Sequence, residues 1–443
     1  MAWDLPLVLR HLFRLKLCFK VRWLVFLECL KKRANQLNYF YKAFLVKHSP
    51  IFKFFFISFV SVLWTVVGYA QIAPPRTLEQ LKTEIQERAN RGAYPVAELK
   101  ASDVEKALKN LNSLSHDDWA LAWMPIGDHY INEARSLEAK DKSAAAQAYQ
   151  QAMQYYLFGR FPVEDSPMTV KSYEKAKDSF KAYAKLVDPI IESFTFEFKG
   201  QSITAYLRKP KGIAKPPIVI TVGGLDSRKE NNAIREAEYL KHGVAFLSMD
   251  MPGTGESKIK IEPGAEGVFT AAIDALQKRS DIDASKIVVF GGSWGGHWSA
   301  RVAYTEIKRL KGVVVQAGPV HEYFQPQWQR KALGNTEYIF GLFEARSAIY
   351  GVKTLDDFLA YGPKMSLKDS GWLEKPSAPM LLVNGAKDTQ VPIEDLYLLL
   401  RSGSPKEAWV NPEGGHMGRS KTLKDHEIFT DIVLPWIVRR LKD

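Results

Sequence analysis

Six short apolar runs, separated by segments of helical periodicity, dominate the second half of this 443-residue chain. They are PIVITVGG (217–224), VAFLSMD (244–250), KIVVFGG (286–292), GVVVQAG (312–318), PMLLVNG (379–385) and EAWVNP (407–412). Runs of this length between helices are typical of buried strands in a parallel sheet that is covered on both faces. Two alternating stretches, SFTFEFKG and SITAYLRKP, precede them and predict an antiparallel pair. An α/β fold is therefore predicted for residues 191–443.

Helical periodicity marks the preceding segment, residues 76–190. The stretch KSAAAQAYQQAMQYYLF places alanine and tyrosine side chains on one face at helical spacing. Small residues on such a stripe let neighbouring helices approach closely. These residues are predicted to form an all-helical domain that packs against the α/β domain.

The positive charge of the chain is concentrated at its N-terminus. The formal net charge is +12, and residues 1–70 hold 11 Lys and Arg but only Asp4 and Glu28, a net of +9. The rest of the chain therefore carries only +3, which argues against a nucleic-acid partner. Both cysteines, Cys18 and Cys29, lie in the same N-terminal segment. The body of the chain thus has no thiol nucleophile, disulfide or thiolate metal site.

The same N-terminal segment contains an export pattern. Basic residues are followed by an apolar stretch over 54–67 and then by Gly68 and Ala70, the small residues that a signal peptidase requires. A signal peptide is therefore predicted over residues 46–70, with cleavage after Ala70 and export to the periplasm or the medium.

Two further interpretations concern this leader. If the signal is not cleaved, residues 54–70 form a membrane anchor, although the apolar stretch is shorter than the roughly 20 residues of a typical span. Residues 1–45 fit no signal pattern, and they are interpreted as a misassigned start or a non-structural N-terminal extension.

A serine flanked by glycines follows the third apolar run. Gly291-Gly292-Ser293-Trp294-Gly295 fits the pattern G-x-S-x-G between a predicted strand and a predicted helix. Glycines two positions before and after the serine remove side chains that would clash where the strand and the helix converge. Ser293 is therefore predicted to be a nucleophile that lies on a sharp turn at the carboxyl edge of the sheet.

A serine nucleophile needs a base and a group that orients the base. In folds with this turn, an acidic residue and then a histidine follow the serine along the chain. His416 lies in a glycine-rich loop after a predicted strand, whereas His426 falls within the last predicted helix. Asp388 lies in the loop just beyond the preceding strand. Ser293, Asp388 and His416 are therefore predicted to form a catalytic triad.

Two backbone N–H groups are needed to hold the oxyanion of the reaction. Trp294, the residue after the nucleophile, is expected to supply one of them. The loop after the first apolar run is expected to supply the other from Leu225, with Gly224 as the alternative. No metal and no cofactor is expected, because the sequence shows neither a cluster of metal-ligating residues nor a phosphate-binding loop.

An aromatic insertion, about residues 319–376, lies between the fourth and fifth apolar runs. Insertions at this place in a parallel sheet commonly cover the nucleophile. The candidate residues of the substrate pocket are His321, Tyr323, Phe324 and Trp328 from this insertion, together with Gly224.

Six motifs connect the chain to a known family. They are VGGLDSRKE, MDMPGTGES, GGSWGGHWSA, GPVHEYF, NGAKDTQVP and GGHMG, behind a helical N-terminal segment. Over about residues 115–440 the chain resembles the esterases of the fermentation-respiration switch type, the 2,6-dihydropseudooxynicotine hydrolases and their fungal polyketide-shortening relatives. The resemblance implies an α/β-hydrolase core, a helical lid domain over residues 76–190, and a triad that maps to Ser293, Asp388 and His416.

These features predict a cofactor-free serine hydrolase that forms an acyl-enzyme on a small-molecule carbonyl substrate, with an ester as the first choice. Two alternatives stay open. The resemblance also covers enzymes that cleave carbon–carbon bonds with an acid from the helical domain, for which the candidates are Asp117, Asp118, Asp128 and Glu133. The scaffold can also serve as a non-catalytic binding module. A homodimer stays open too, and membrane contact is expected only through an uncleaved leader.

Overall fold

Five helices come first in the computed structural model, which describes residues 76–442 of the chain. They are α1 (Leu78–Asn90), α2 (Ala101–Lys109), α3 (His116–Leu137), α4 (Lys142–Gly159) and α5 (Pro167–Leu186). Side chains of Thr77, Ser115, Asp141 and Ser166 cap four of their N-termini. The predicted signal peptide and the N-terminal extension lie outside the described residues. Between residues 76 and 442, no helix is long and apolar enough to cross a membrane.

Small residues let α4 pack closely between α3 and α5. A Cβ atom added at Gly127 of α3 would lie 2.5 Å from the ring of Tyr156 on α4, so a larger residue there would displace this buried ring. Trp119 and Trp123 of α3 are completely buried, and the Trp119 indole N–H donates to the carbonyl of Phe158 at 2.7 Å. The indole is therefore buried with its polar atom satisfied, as a stable core requires.

An eight-stranded sheet forms the centre of the remaining chain. Its strands are β1 (Glu192–Phe198), β2 (Gln201–Arg208), β3 (Ile218–Val222), β4 (Ala245–Met249), β5 (Ile287–Gly292), β6 (Leu310–Gln316), β7 (Met380–Gly385) and β8 (Glu407–Asn411). The spatial order is β1-β2-β4-β3-β5-β6-β7-β8, with antiparallel pairing at β1–β2 and β2–β4 and parallel pairing elsewhere. The predicted α/β fold is thus confirmed, since each of the six apolar runs forms a strand.

Helices cover the sheet, and every residue of β3 and β4 is buried. They are α6 (Lys229–Arg235), α7 (Glu238–Lys241), α8 (Gly267–Gln277), α9 (Trp294–Thr305), α10 (Pro326–Ala332), α11 (Leu342–Tyr350), α12 (Leu355–Tyr361), α13 (Ile393–Leu400), α14 (Asp425–Ile428) and α15 (Leu434–Lys442). A five-residue π-helical turn joins α14 to α15. Helices α10 to α12 belong to the insertion about residues 319–376. Full burial of a strand on both of its faces is typical of a doubly covered parallel sheet.

The parallel strands bring four loops to one edge of the sheet. Strands β3, β5, β7 and β8 run in the same direction, so their carboxyl ends lie together. Leu225, Ser293, Asp388 and His416 follow these four strands in chain order. Parallel sheets of this kind carry their chemistry at this edge.

A buried ion pair connects the helical segment to the loop after β3. Arg228 donates from Nε to Glu164 Oε1 and from Nη2 to Glu164 Oε2, each at 2.8 Å. The Arg228 side chain is 3% exposed and that of Glu164 is 19% exposed. Such a two-pronged pair is geometrically specific, and removing one member leaves the other charge buried without a counter-ion.

We therefore expect Glu164→Gln to lower the free energy of unfolding by about 3 kcal/mol, the lower end of the range for a broken buried pair, because Glu164 keeps some exposure. Asp178→Asn is the matched control, since Asp178 pairs with Lys181 on the exposed face of α5. That change should alter stability little. Urea unfolding of both variants would measure the difference, and equal effects would contradict the role given to Glu164.

Candidate active site

Ser293 occupies a strained turn between β5 and α9. Its φ and ψ angles are 54° and −124°, a combination that residues with a side chain rarely adopt. Its N–H donates to the carbonyl of Gln316 at 2.8 Å, which fixes the turn against the end of β6. The strain is maintained by the surrounding structure, and it directs the serine side chain away from the strand and the helix.

Two glycines make this turn sterically possible. A Cβ atom at Gly291 would lie 2.0 Å from the carbonyl oxygen of Gly295. A Cβ atom at Gly295 would lie 2.2 Å from the carbonyl oxygen of Val222, at the end of β3. Any larger residue at either position would therefore push α9 away from the sheet, as the sequence pattern predicts.

The structure brings the three predicted triad residues into one hydrogen-bonded chain. His416 Nε2 lies 3.0 Å from Ser293 Oγ, and His416 Nδ1 lies 2.8 Å from Asp388 Oδ2. His416 is 9% exposed and Asp388 is 7% exposed, so both residues are buried. The distances are those of a base in contact with a nucleophile and of an acid that orients the base.

Asp388 is held as a carboxylate by donors from its own loop. Its Oδ1 accepts the N–H groups of Gln390 at 2.7 Å and Val391 at 3.0 Å, and its Oδ2 accepts Asn384 Nδ2 at 2.9 Å. Burial alone would raise the pKa of Asp388, but the charge of His416 and these hydrogen bonds outweigh burial and lower it. Asp388 therefore stays ionised beside the imidazole.

The His416 loop packs tightly on the loop that carries Asp388. A Cβ atom at Gly385 would lie 2.2 Å from the carbonyl oxygens of both Gly414 and Gly415, so glycine is required at the end of β7. Arg419 donates from Nε to the His416 carbonyl at 3.0 Å. Arg419 lies only three residues beyond the histidine, but no motif of the sequence indicates this contact.

The electrostatic surroundings favour a protonated His416. Burial lowers the pKa of its imidazole, but the charge of Asp388, the hydrogen bond to it and the charge of Glu337 together raise the pKa above its usual 6.5. These surroundings therefore stabilise the imidazolium form of His416 relative to the neutral imidazole.

The two proposed oxyanion donors lie on either side of the serine. Gly224 is so close that a Cβ atom there would lie 2.8 Å from Ser293 Cβ, and Leu225 follows it with only 9% of its surface exposed. Trp294 begins α9, and its indole N–H donates to the hydroxyl of Tyr323 at 2.9 Å. The N–H groups of Trp294 and of the Gly224–Leu225 segment therefore belong to backbone that directly adjoins the nucleophile.

The candidate pocket residues of the insertion have several partners. Tyr323 packs edge-on against Trp294, with the ring centroids 5.7 Å apart, and so supports the residue after the nucleophile. His321 Nδ1 lies 2.8 Å from Ser366 Oγ, and Trp328 donates its indole N–H to the carbonyl of Gln390 at 3.3 Å. Phe324 is completely buried against Trp294. Tyr323, Phe324 and Trp328 thus join the insertion to Trp294 and to the Asp388 loop, whereas the His321 contact lies within the insertion.

Asp395 anchors the start of this insertion. Its carboxylate accepts four consecutive backbone N–H groups, from residues 320–323, at 2.7–3.2 Å. Burial raises the pKa of Asp395 to about 6, although these four hydrogen bonds oppose the shift. This role of Asp395 could not be predicted, because nothing near Asp395 in the sequence indicates a partner more than 70 residues away.

The four acids considered for carbon–carbon bond cleavage lie on α3. Three of them accept hydrogen bonds from neighbouring groups, and the fourth is exposed. Asp117 accepts the N–H of Met168, Asp118 the hydroxyl of Ser113, and Asp128 the hydroxyl of Tyr156, while Glu133 is exposed.

Asp226 is a different acidic residue beside the nucleophile. It follows Leu225, and it accepts a hydrogen bond from the Tyr94 hydroxyl of the helical segment. Burial raises the pKa of Asp226, although the charges of Arg419, Arg228 and His416 oppose the rise. Tyr94 is 132 residues away in sequence, so no local pattern could have indicated this contact.

A metal centre finds no support in the part of the chain that the structure describes. Within residues 76–442, no group of three or more His, Cys, Asp and Glu side chains could hold a metal ion.

Comparison with known families identifies the family of this chain. The model of the family described as "Esterase FrsA-like" matches residues 93–408. This chain belongs to that family. The α/β-hydrolase resemblance and the prediction of a hydrolytic enzyme are thereby confirmed.

Individual relatives of this FrsA-like esterase are distant in sequence. Esterase FrsA of Vibrio cholerae is 22% identical over 330 residues, which is 72% of this chain and 75% of that protein. Esterase FrsA of Serratia proteamaculans is 27% identical over 246 residues, which is 52% of this chain and 59% of that protein.

Two solved structures share the fold. The 2,6-dihydroxy-pseudo-oxynicotine hydrolase has a TM-score of 0.66 at 22% identity and covers 81% of this chain and 95% of its own. Wild-type AbyA5 has a TM-score of 0.64 at 20% identity and covers 83% of this chain and 95% of its own. Because the identities are low, these similarities establish the fold of this FrsA-like esterase and nothing further. The shared fold includes the helical segment.

The geometry of the Ser293 turn makes Gly295→Ala a direct test of the site. The added methyl would meet the Val222 carbonyl, which belongs to a buried strand and cannot move aside, so α9 and Ser293 must shift. We expect a loss of hydrolysis of about 100-fold, as a shift of about 1 Å at a reacting group can produce. The assay is kcat/KM on a chromogenic ester.

The matched control is Gly267→Ala in α8, where the new methyl would meet only the ring of Phe198, a side chain that can rotate. Gly267→Ala should keep most of the activity. An unaffected Gly295→Ala variant would show that the turn tolerates a larger residue and that the steric argument is wrong.

Proposed function

We propose that this FrsA-like esterase hydrolyses a small-molecule ester through an acyl-enzyme on Ser293. The observation that carries the proposal is the chain of two contacts, 3.0 Å from Ser293 Oγ to His416 Nε2 and 2.8 Å from His416 Nδ1 to Asp388 Oδ2. A buried carboxylate that contacts one imidazole nitrogen leaves the other nitrogen as an acceptor facing the serine.

The first half of the proposed reaction forms the acyl-enzyme. His416 Nε2 accepts the proton of the Ser293 hydroxyl as Oγ attacks the ester carbonyl, while Asp388 holds the imidazole and stabilises its charge. The N–H groups of Trp294 and Leu225 hold the oxyanion. His416 then gives its proton to the alcohol oxygen, the carbon–oxygen bond of the ester breaks, and the alcohol leaves.

The second half of the proposed reaction repeats these steps with water. His416 Nε2 removes a proton from water, which attacks the acyl carbonyl, and the same two N–H groups hold the second oxyanion. Collapse of this intermediate returns the proton to Ser293 Oγ and releases the acid. Every step uses side chains and backbone of this chain and needs no metal or cofactor.

The helical segment is proposed to be a lid over this site. Two of its residues, Tyr94 and Arg160, contact Asp226, the residue after the oxyanion donor Leu225. The insertion contacts the same region, since Tyr323 supports Trp294 and Trp328 contacts the Asp388 loop. We therefore place the substrate between the helical segment, the insertion and the carboxyl edge of the sheet.

Covalent labelling tests the nucleophile. A fluorophosphonate probe should label wild-type protein once, at Ser293, because the probe reacts with serines that an adjacent base activates. Ser293→Ala should abolish labelling and lower ester hydrolysis by a factor on the order of 10³ or more. Mass spectrometry of the labelled peptide and a chromogenic ester assay give the two readouts.

The control for this experiment is Ser285→Ala, which removes the hydroxyl of an exposed serine just before β5 and should leave labelling unchanged. A folded wild-type protein that takes no label and hydrolyses no ester would overturn the proposal. The non-catalytic binding module would then be the better interpretation.

The proposed base also predicts the pH dependence. His416 must be neutral to accept a proton, and its pKa is raised above 6.5, so kcat/KM should rise with pH and reach half its maximum above pH 6.5. Asp388→Asn should move this midpoint to lower pH, because the burial of His416 is then unopposed by the charge of Asp388. It should also lower kcat by about 10⁴-fold, as loss of the orienting carboxylate does in serine proteases.

Glu337→Gln is the matched variant for this experiment. Glu337 also raises the pKa of His416, but it contacts Arg419 rather than the imidazole. The variant should shift the midpoint to lower pH by a smaller amount and leave the maximum rate nearly unchanged. A pH profile with a midpoint below 6.5 in the wild type would contradict the assignment of His416 as the base.

A further inference from the structure

Arg160 is a buried cation whose hydrogen-bonding capacity is only partly used. It lies at the C-terminus of α4 and is 3% exposed. Its Nη2 donates to the carbonyl of Asp226, immediately after the oxyanion donor Leu225. Within residues 76–442, its Nε and Nη1 have no hydrogen-bond partner. An unused charged donor in a buried place is unfavourable unless something else satisfies it.

The nearby carboxylate does not satisfy Arg160. Glu164 is engaged by both prongs of Arg228, and Arg160 Nε remains 3.6 Å from Glu164 Oε1, beyond hydrogen-bond distance. Burial and the charge of Arg228 together lower the pKa of Arg160 to about 10, and Glu164 offsets them only in part. The guanidinium groups of Arg160 and Arg228 thus share the carboxylate of Glu164, next to the loop after β3 that carries Leu225.

Tyr338 adds a third unused donor at the same place. Its ring packs against Phe161, the neighbour of Arg160, with the centroids 4.9 Å apart. Its hydroxyl is buried and has no hydrogen-bond partner in the described part of the chain. Burial, and after it the charge of Asp226, raise the pKa of Tyr338, so the hydroxyl keeps its proton and is a donor.

A third guanidinium contributes to the charge around Tyr338. Arg346 of α11 is 3% exposed and interacts electrostatically with Tyr338. Its Nη1 and Nη2 donate to the side-chain amides of Gln329 and Gln390, each at 3.2 Å, and its Nε has no partner among residues 76–442. The groups that bind Arg346 are neutral, so its charge adds to the positive charge around Tyr338.

The position of this cluster relative to the nucleophile is favourable for a substrate group. Asp226, which Arg160 contacts, is two residues from Gly224, whose backbone adjoins Ser293. Gln390, which Arg346 contacts, donates its backbone N–H to Asp388. The cluster therefore lies at the junction of the helical segment, the insertion and the two catalytic loops.

We propose that Arg160 and Tyr338, with the additional charge of Arg346, form a subsite for a carboxylate group of the ester substrate. A carboxylate would accept hydrogen bonds from the unused donors, and it would pair with Arg160 and Arg346, which make no hydrogen bond to a carboxylate within residues 76–442. This inference rests on the proposed esterase function and names its substrate class, an ester that carries a free carboxylate on its acyl or its alcohol part.

Two matched ester pairs test this subsite. For the acyl part, the 4-nitrophenyl monoester of glutaric acid is compared with 4-nitrophenyl valerate. For the alcohol part, 3-acetoxybenzoate is compared with 3-acetoxybenzamide. The wild-type enzyme should prefer the anionic member of at least one pair in kcat/KM by about 10- to 100-fold, the range expected for hydrogen bonds to a charged group.

Arg160→Gln should remove most of this preference, read as the ratio of the kcat/KM values for the anionic and the neutral ester. Any loss that comes from the contact of Arg160 with the Asp226 carbonyl should fall equally on both esters and leave this ratio unchanged. Tyr338→Phe removes only a hydroxyl without a partner, so it should fold normally and lower the preference by about 3- to 10-fold. The control is Tyr304→Phe, another buried hydroxyl without a partner in the described chain, at the far end of α9 from Ser293. This control should keep the full preference.

The outcomes separate this inference from the function on which it rests. A wild-type enzyme that hydrolyses the neutral esters without preferring an anionic one overturns the subsite alone. A preference that Arg160→Gln and Tyr338→Phe both retain also overturns it, even where activity falls equally on both members of a pair, because such a loss reports only the contact of Arg160 with the Asp226 carbonyl. A protein that takes no ester and no fluorophosphonate label overturns the esterase proposal as well.

Discussion

The contact between Gly295 and the carbonyl of Val222 determines how closely α9 can approach the sheet, and the position of Ser293 depends on that approach. A Cβ atom at Gly295 would lie 2.2 Å from this carbonyl, so the helix sits where only a hydrogen atom fits. The turn between β5 and α9 can then be short enough to force Ser293 to a positive φ of 54°. Packing in the centre of the sheet thereby maintains the strain at the serine.

His416 and Asp388 are positioned by a second rigid unit, the paired ends of β7 and β8. The loop that carries Asp388 donates the N–H of Lys387 to the Gly414 carbonyl at 2.8 Å, and that of Ala386 to the Asn411 carbonyl at 2.9 Å. The two loops are therefore one hydrogen-bonded layer on the parallel pair. The distance from His416 to Asp388 follows from strand register, and only the contact with Ser293 depends on how this unit meets β5.

The parts that the sequence predicted are those whose cause is local. Buried runs predicted the strands, and the glycines around Ser293 predicted the turn, because each signal lies within a few residues of its effect. The partners of Asp395 and of Asp226 were not predictable, because they depend on how distant segments pack. Tyr323 shows an intermediate case: its aromatic surroundings indicated a place near the nucleophile, whereas its hydrogen bond to Trp294 required the structure.

Two buried arginines bind carbonyl groups of the loop after β3, which carries the proposed oxyanion donor Leu225. Arg228 donates to the Leu225 carbonyl at 3.2 Å, and Arg160 donates to that of Asp226. A peptide plane is rigid, so these contacts fix the directions of the N–H groups of Asp226 and Ser227, the two residues that follow the proposed donor Leu225. The loop that carries the proposed donor Leu225 is thus held by its own Arg228, which pairs with Glu164 of the helical segment, and by Arg160 of that segment. Residues 76–190 therefore contribute to the geometry of this loop.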